Sequence, residues 1–290
     1  MKHYRILIIL IVLIGCNDTP SSKAKTTKAL AGNIPTTTSE TRIKSKEDNA
    51  LDKNIETTNN QDDWYWKNTQ MSKNNAFENW EHGLVDLVME YRLRHNETTP
   101  KNLKVGYIDD NGSINITLPE NTPTETSLDN LGNLVFYDIQ DISTLNYGNP
   151  DAGYLSKTTL NVLKNGELIG ALTLGNSVRV TYNLTNQSTL SMGDEGYLIS
   201  WANLEEAVSM KGTEKTKNKV RRDGTNTLGV ERSVVYDLDF KPGWNFIKTE
   251  VIGKYDLVHE RGLNASWFKK HHHRVVSEIP EDAAYYFRFP

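Results

Sequence analysis

The sequence predicts a mainly β protein: an immunoglobulin-like antiparallel β-sandwich preceded by one amphipathic helix and a disordered tether. Three observations predict it. Short stretches of alternating apolar and polar residues recur from residue 101 to the end. Asn-Gly and Pro-Gly pairs punctuate them at turn spacing. Helix-length periodicity is missing between them, whereas a parallel sheet needs a helix in each crossover.

The chain begins with an export pattern. Lys2 and Arg5 give a positive flank, and residues 6–14 form an unbroken apolar run. That run is well short of the ~20 residues a spanning helix needs, and its flank fits a secretory signal. It ends in Leu13-Ile14-Gly15-Cys16. These four residues resemble the lipobox of bacterial lipoproteins, with a branched apolar residue, a small residue and cysteine directly after the apolar run. The resemblance covers the first sixteen residues only. It implies a signal peptide over residues 1–15, cleavage between Gly15 and Cys16, a diacylglyceryl group on the Cys16 thiol and a further acyl chain on its amino group. Each buried methylene is worth about 0.8 kcal/mol, so two or three chains anchor where one would not. The implied location is the cell envelope, on the outer membrane.

Cys16 is the only cysteine. Once lipidated it leaves no thiol for a disulfide, a thiolate metal site or a cysteine nucleophile. Losing Lys2 and Arg5 with the signal makes the formal charge of −4 two units more negative. A nucleic-acid partner would need a concentrated positive field, so the balance argues against one.

Residues 16–61 carry the lipidated cysteine and a Thr-, Ser-, Lys- and Asn-rich stretch with few large apolar residues. Such a composition cannot offset the entropy of ordering. A flexible tether of that length spans roughly 37 Å on average. Residues 62–100 are expected to be a helical segment. Phe77, Trp80, Leu84, Leu87, Val88 and Tyr91 recur at steps of three and four, which is the period of one helix face. Asn75 and Glu78 resemble a capping pair, against which Gly83 costs about 1 kcal/mol.

Residues 101–290 are expected to be the sandwich. Residues 105–108 and 114–118 flank Asp110-Asn111-Gly112, and residues 159–163 and 168–174 flank Asn165-Gly166. Both read as hairpins with primed turns, because Asn-Gly adopts positive φ at little cost. Val178, Val180, Tyr182 and Leu184 alternate with polar residues as a half-buried strand would. Residues 197–201 form another strand. Tyr236, Leu238 and Phe240 lie two apart, so they share one face and leave Asp237 and Asp239 on the other. Pro242-Gly243 fits a type II turn, which would return Trp244 against the same pair of strands. Residues 271–276 and 284–289 close the fold. The runs 110–119 and 237–245 are similar to strand pairs of envelope β-sandwich lipoproteins. That likeness implies fold and setting, and no activity.

Site chemistry is sparse. On a strand His271 and His273 share a face and His272 points away. With His259 and Glu260 they form the weak candidates for a metal site. Lys269, Lys270 and Arg274 would repel a divalent ion, so a solvated strand and no metal is the expectation. Asp237 and Asp239 resemble any solvated face more than an acid–base pair. Residues 211–222 read as a long exposed loop. Its Lys217, Lys219, Arg221 and Arg222 are candidates for contact with anionic lipid or polysaccharide. No serine-hydrolase elbow, zinc-protease helix or phosphate loop occurs in the sequence. The expected role is therefore a non-enzymatic binding or structural module without a cofactor. It is held to a membrane through Cys16 and meets an envelope protein or polysaccharide. The alternative is a hydrolase of envelope polysaccharide or peptidoglycan. A cleft with clustered carboxylates or histidines would favour the enzyme, and exposed aromatics the binding module.

Overall fold

The computed structural model describes residues 64–92, 99–123, 131–134, 136–223, 226–258 and 264–290. All belong to one compact unit, Glu56–Pro290. The signal, Cys16 and the tether lie outside the described residues.

The class is mainly β, as the alternation requires. Fourteen strands follow in chain order: β1 (Thr69–Met71), β2 (Val85–Tyr91), β3 (Lys101–Ile108), β4 (Ile114–Ile116), β5 (Leu145–Tyr147), β6 (Tyr154–Lys157), β7 (Leu160–Lys164) and β8 (Glu167–Gly175). Helix α1 (Val178–Asn183) intervenes before β9 (Gly196–Leu204), β10 (Val208–Asp223), β11 (Asn226–Phe240), β12 (Gly243–Val258), β13 (Asn264–Val276) and β14 (Ala284–Arg288). Hydrogen bonds join them into one sheet, in the order β4-β3-β2-β7-β8-β9-β12-β13-β11-β10-β5. From that path β14 pairs with β8 and β1, and β6 with β9. The pairing is thus continuous and does not divide into the two sheets of an immunoglobulin-like sandwich.

Both Asn-Gly hairpins form. Asn165 and Gly166 take φ of 53° and 86°, the positive pair a type I′ turn needs, and Leu163 faces Leu168 across them. Ile108 pairs with Ile114, while the Asp109 carboxylate accepts the Asn111 and Ser113 N–H groups.

Three expectations are corrected. The helix over residues 62–100 gives way to turns followed by β2. Asn74, Asn75, Asn79 and Gly83 all adopt positive φ, which interrupts any helical run. Phe77 and Trp80 are buried and stack at 5.4 Å, so their spacing reflects packing within a turn region. The strand expected at residues 178–184 is helix α1. The Ser177 side chain accepts the Val180 N–H and caps it, and a Ser cap outweighs valine's weak helix preference. The loop expected at residues 211–222 is the body of β10. Its register with β11 is unbroken from Val208 to Arg221. The lysines hid an alternation in which Met210, Glu214 and Val220 are buried.

Two large apolar clusters and a small third one at Val220 and Val230 hold the sheet among the described residues. The first centres on Phe77, Leu87, Trp201 and Phe287. The second is built on Met210, Tyr236, Leu238, Phe240 and Ile247. Trp244 packs against the first, so it does not share the Tyr236 face as the turn reading required. The reason is topological: β12 pairs with β9 and β13, not with β11.

Candidate functional site

Strand β13 runs parallel to β11, with His271 opposite Val234 and His273 opposite Tyr236. Alternation puts both imidazoles on the inner face, and each is 0 % exposed. This corrects the reading of a solvated strand. The flanking cations do not share the site, since Lys269 is exposed and Lys270 and Arg274 are partly exposed.

Asp138 meets the two histidines from the segment before β5, with a side chain 1 % exposed. One of its oxygens, Oδ2, accepts from His271 Nδ1 at 2.8 Å and from His273 Nε2 at 2.7 Å. The Tyr236 hydroxyl donates to the other oxygen at 3.0 Å and accepts the Phe136 N–H at 3.1 Å. Thr249 Oγ1 lies 2.9 Å from His273 Nδ1. His271 Nε2 has no hydrogen-bond partner among the described residues; its ring stacks on Phe268 at 3.6 Å.

These partners set the charges. Burial by itself would raise the Asp138 carboxyl, but the His273 charge and the hydrogen bonds from both imidazoles hold it well below the usual carboxylate range. Burial pushes His271 down, against the pull of Asp138. Burial and the neighbouring Asp138 charge raise the Tyr236 phenol. The resulting state is an ionised carboxylate receiving three donors in a dry interior, where such bonds are strong.

The same segment is fastened a second time. Glu214 is buried on β10, and its carboxylate accepts the Gln140 N–H at 3.1 Å and the Asp141 N–H at 2.6 Å. Just before both fastenings lies Tyr137, flanked by Phe136, whose N–H is held by Tyr236, and by Asp138; it is 77 % exposed and held at φ 60°. A bulky residue in that region is strained. Phe136 on its other side stacks on His273 at 4.7 Å.

Phe136 and Tyr137 border a cavity of about 530 Å³. Tyr154 and Ser156 reach it from β6, and Thr185 and Gln187 from the turn after α1. Its volume lies within the ~300–1,000 Å³ of small-molecule sites. Its described lining offers three aromatic rings, hydroxyls, an amide and one lysine, with no carboxylate or imidazole. The Asp-His-His cluster therefore sits behind the cavity wall, sealed from it by the Phe136 ring.

Of the residues singled out from sequence, the structure brings His271 and His273 together, while His259 lies outside the described residues. Lys217 and Lys219 lie on the outward face of β10, and Lys217 pairs with Glu231 at 3.4 Å. Arg221 and Arg222 continue β10, and their side chains lie outside the described residues. Asp237 and Asp239 are exposed and both contact Lys211. Asp138, Tyr236 as a hydrogen-bond donor, Glu214 and Tyr137 escaped the sequence reading. A short segment with no periodicity gives no sign of which strand it will meet. The chain matches no family model, no curated protein and no solved structure.

Proposed function

We propose that this protein is a lipid-anchored envelope module that binds a neutral carbohydrate in the cavity beside Tyr137. One observation carries the binding half of this reading. The accessible cavity is lined by aromatic faces, leucines, hydroxyl and amide groups and the single cation Lys157, while the one described cluster of carboxylate and imidazoles is sealed behind it. Sugar rings have apolar C–H faces that pack on aromatic rings, and hydroxyls that exchange hydrogen bonds with Ser, Thr and Gln side chains. Aromatic residues supply such contact area at low entropic cost. The contacts of Phe136 and Asp138 on either side of Tyr137 hold its backbone before ligand arrives, which lowers the ordering cost of binding. The lipobox resemblance supports the anchoring half and places the module at the bacterial envelope, where glycans are concentrated.

The binding half is tested with tri-saccharides of the cello, malto and chito series, followed by the chemical shifts of the protein. At least one series is expected to bind, and Tyr137→Ala is expected to weaken it at least about tenfold, the cost of ~1.4 kcal/mol. Binding by none of them, or binding equally strong in the variant, would sink the reading. The anchoring half is separate. Cys16→Ser should abolish labelling by a fatty-acid probe in a bacterial host and leave the precursor uncut. A variant labelled as strongly as the parent would rule the anchor out.

A further inference from the structure

We propose that Asp138, His271 and His273 form a structural site for one borderline divalent transition ion, with zinc the best match. Their ligand atoms, one oxygen and two ring nitrogens, all lie within 4.8 Å of one another. Two imidazoles and a carboxylate suit such an ion. Ligands held about 2.0–2.2 Å from a tetrahedral zinc stand roughly 3.3–3.6 Å apart. The observed nitrogen–oxygen separations of 2.8 and 2.7 Å would have to open by something under about 1 Å.

The surroundings support the ligands as metal sites require. A ligating carboxylate and imidazole are normally held by partners of their own. Tyr236 donates to the Asp138 oxygen that faces away from the histidines, and Thr249 Oγ1 stands at the far nitrogen of His273. On binding, each ring carries its proton on its far nitrogen. For His273 that proton points to Thr249. For His271 it occupies Nε2, an atom that now has no hydrogen-bond partner among the described residues. The proton on each ring's near nitrogen gives way to the ion, moving to the far nitrogen of a neutral ring or to solvent from a charged one.

Two features decide the kind of site. Both histidines are 0 % exposed, so the ion would sit away from solvent and hold the segment in place; the three residues fill three of zinc's four usual positions, and the fourth would fall to a water or a further group. Among the described residues Arg232 is the cation that acts on these ligands: its guanidinium lies over Trp267 at 4.8 Å and Phe268 at 5.0 Å, it disfavours a charged His271, and Glu214 and Asp138 oppose its charge. The ion would tie the segment carrying Tyr137 to β13, by the side opposite Glu214. It would bind whether or not the cavity takes a carbohydrate, so the two ideas stand or fall separately.

The test uses the full chain in detergent, stripped with chelator under denaturant, refolded, and titrated with Co²⁺ and then Zn²⁺. One equivalent of Co²⁺ is expected to bind with visible ligand-field bands, which Zn²⁺ displaces. Asp138→Asn, which keeps the side-chain volume, should weaken binding at least tenfold, and His273→Ala should abolish it. His272→Ala, on the other face of β13, should leave it unchanged. X-ray absorption of the wild-type zinc complex should show two imidazoles, a reading that stays valid if a variant fails to fold. No ligand-field bands in the wild-type protein, a zinc shell without two imidazoles, or unchanged binding in a folded Asp138→Asn variant would each overturn the proposal.

Discussion

Asp138→Ala is expected to destabilise the domain by roughly 3–5 kcal/mol, the range for breaking a buried charged network from one side. The carboxylate serves three donors, from His271, His273 and Tyr236. Alanine strands all of them in an interior where both imidazoles are 0 % exposed. Each buried donor left unpaired costs about 1–3 kcal/mol, and water cannot replace the carboxylate unless the segment opens. The loss should also loosen residues 136–141, since only the Glu214 contacts and the packing and N–H bond of Phe136 would remain. Denaturant melts of the parent and variant, both in chelator, measure the change. Asp141→Ala is the control. Asp141 caps a single short turn through the Ser143 N–H from an exposed position, so its loss should cost far less than that of Asp138. Equal effects at the two positions would show that Asp138 is not the hub of the network.

The parts of the fold that the sequence made legible are those decided by neighbours in the chain. Asn165-Gly166 specifies its turn because positive φ is a local property, and the strands on either side inherit their register from it. The burial of Tyr236, Leu238 and Phe240, with Asp237 and Asp239 outside, follows from a period of two. Where tertiary contacts decide, the same reasoning misled. Steps of three and four at Phe77, Trp80, Leu84 and Leu87 arise from a turn region whose asparagines take positive φ, joined to a strand. Lys211, Lys215, Lys217 and Lys219 masked β10 as a loop, because a long cationic side chain suits an outward strand face as well as it suits solvent. The His-His-His run showed its own parity but not its burial. Its partner, Asp138, lies more than a hundred residues earlier and reaches it only because β13 inserts between β11 and β12. That insertion, with its parallel β11–β13 pairing, is a long-range choice that no local pattern carries.

The cavity and the buried network are linked through three consecutive residues. Phe136 stacks on His273, Tyr137 stands in solvent, and Asp138 joins the two histidines. Any change that frees Asp138 therefore also frees the ring at the cavity mouth. A binding effect of Asp138→Asn would act through the position of Tyr137, not through contact with ligand.

Phe240→Ala is expected to cost about 3–5 kcal/mol, from lost transfer energy and the cavity left behind. Phe240 is 4 % exposed and belongs to the cluster with Tyr236, Leu238 and Met210. It lies opposite Val208 at the end of β10. Against a typical total of ~5–15 kcal/mol, this one change could leave the domain marginal. Its neighbour Asp239 faces outward and meets Lys211 at 2.6 Å, with a side chain 75 % exposed. Exposed pairs of this kind are worth about 0–1 kcal/mol, so Asp239→Asn should barely move the midpoint. Trp244 supplies a sharper check on topology. Its ring packs in the other cluster, and its Nε1–H donates to the Pro119 carbonyl at 2.8 Å. If the two clusters are separate, the losses from Phe240→Ala and Trp244→Phe should add to within about 0.5 kcal/mol. Had Trp244 folded back over the Tyr236 face, the pair would share a cavity and deviate from additivity by more than that. Urea melts of the two single variants and the double variant decide between these arrangements, and strong coupling would place Trp244 beside Phe240 and refute the strand order around β12.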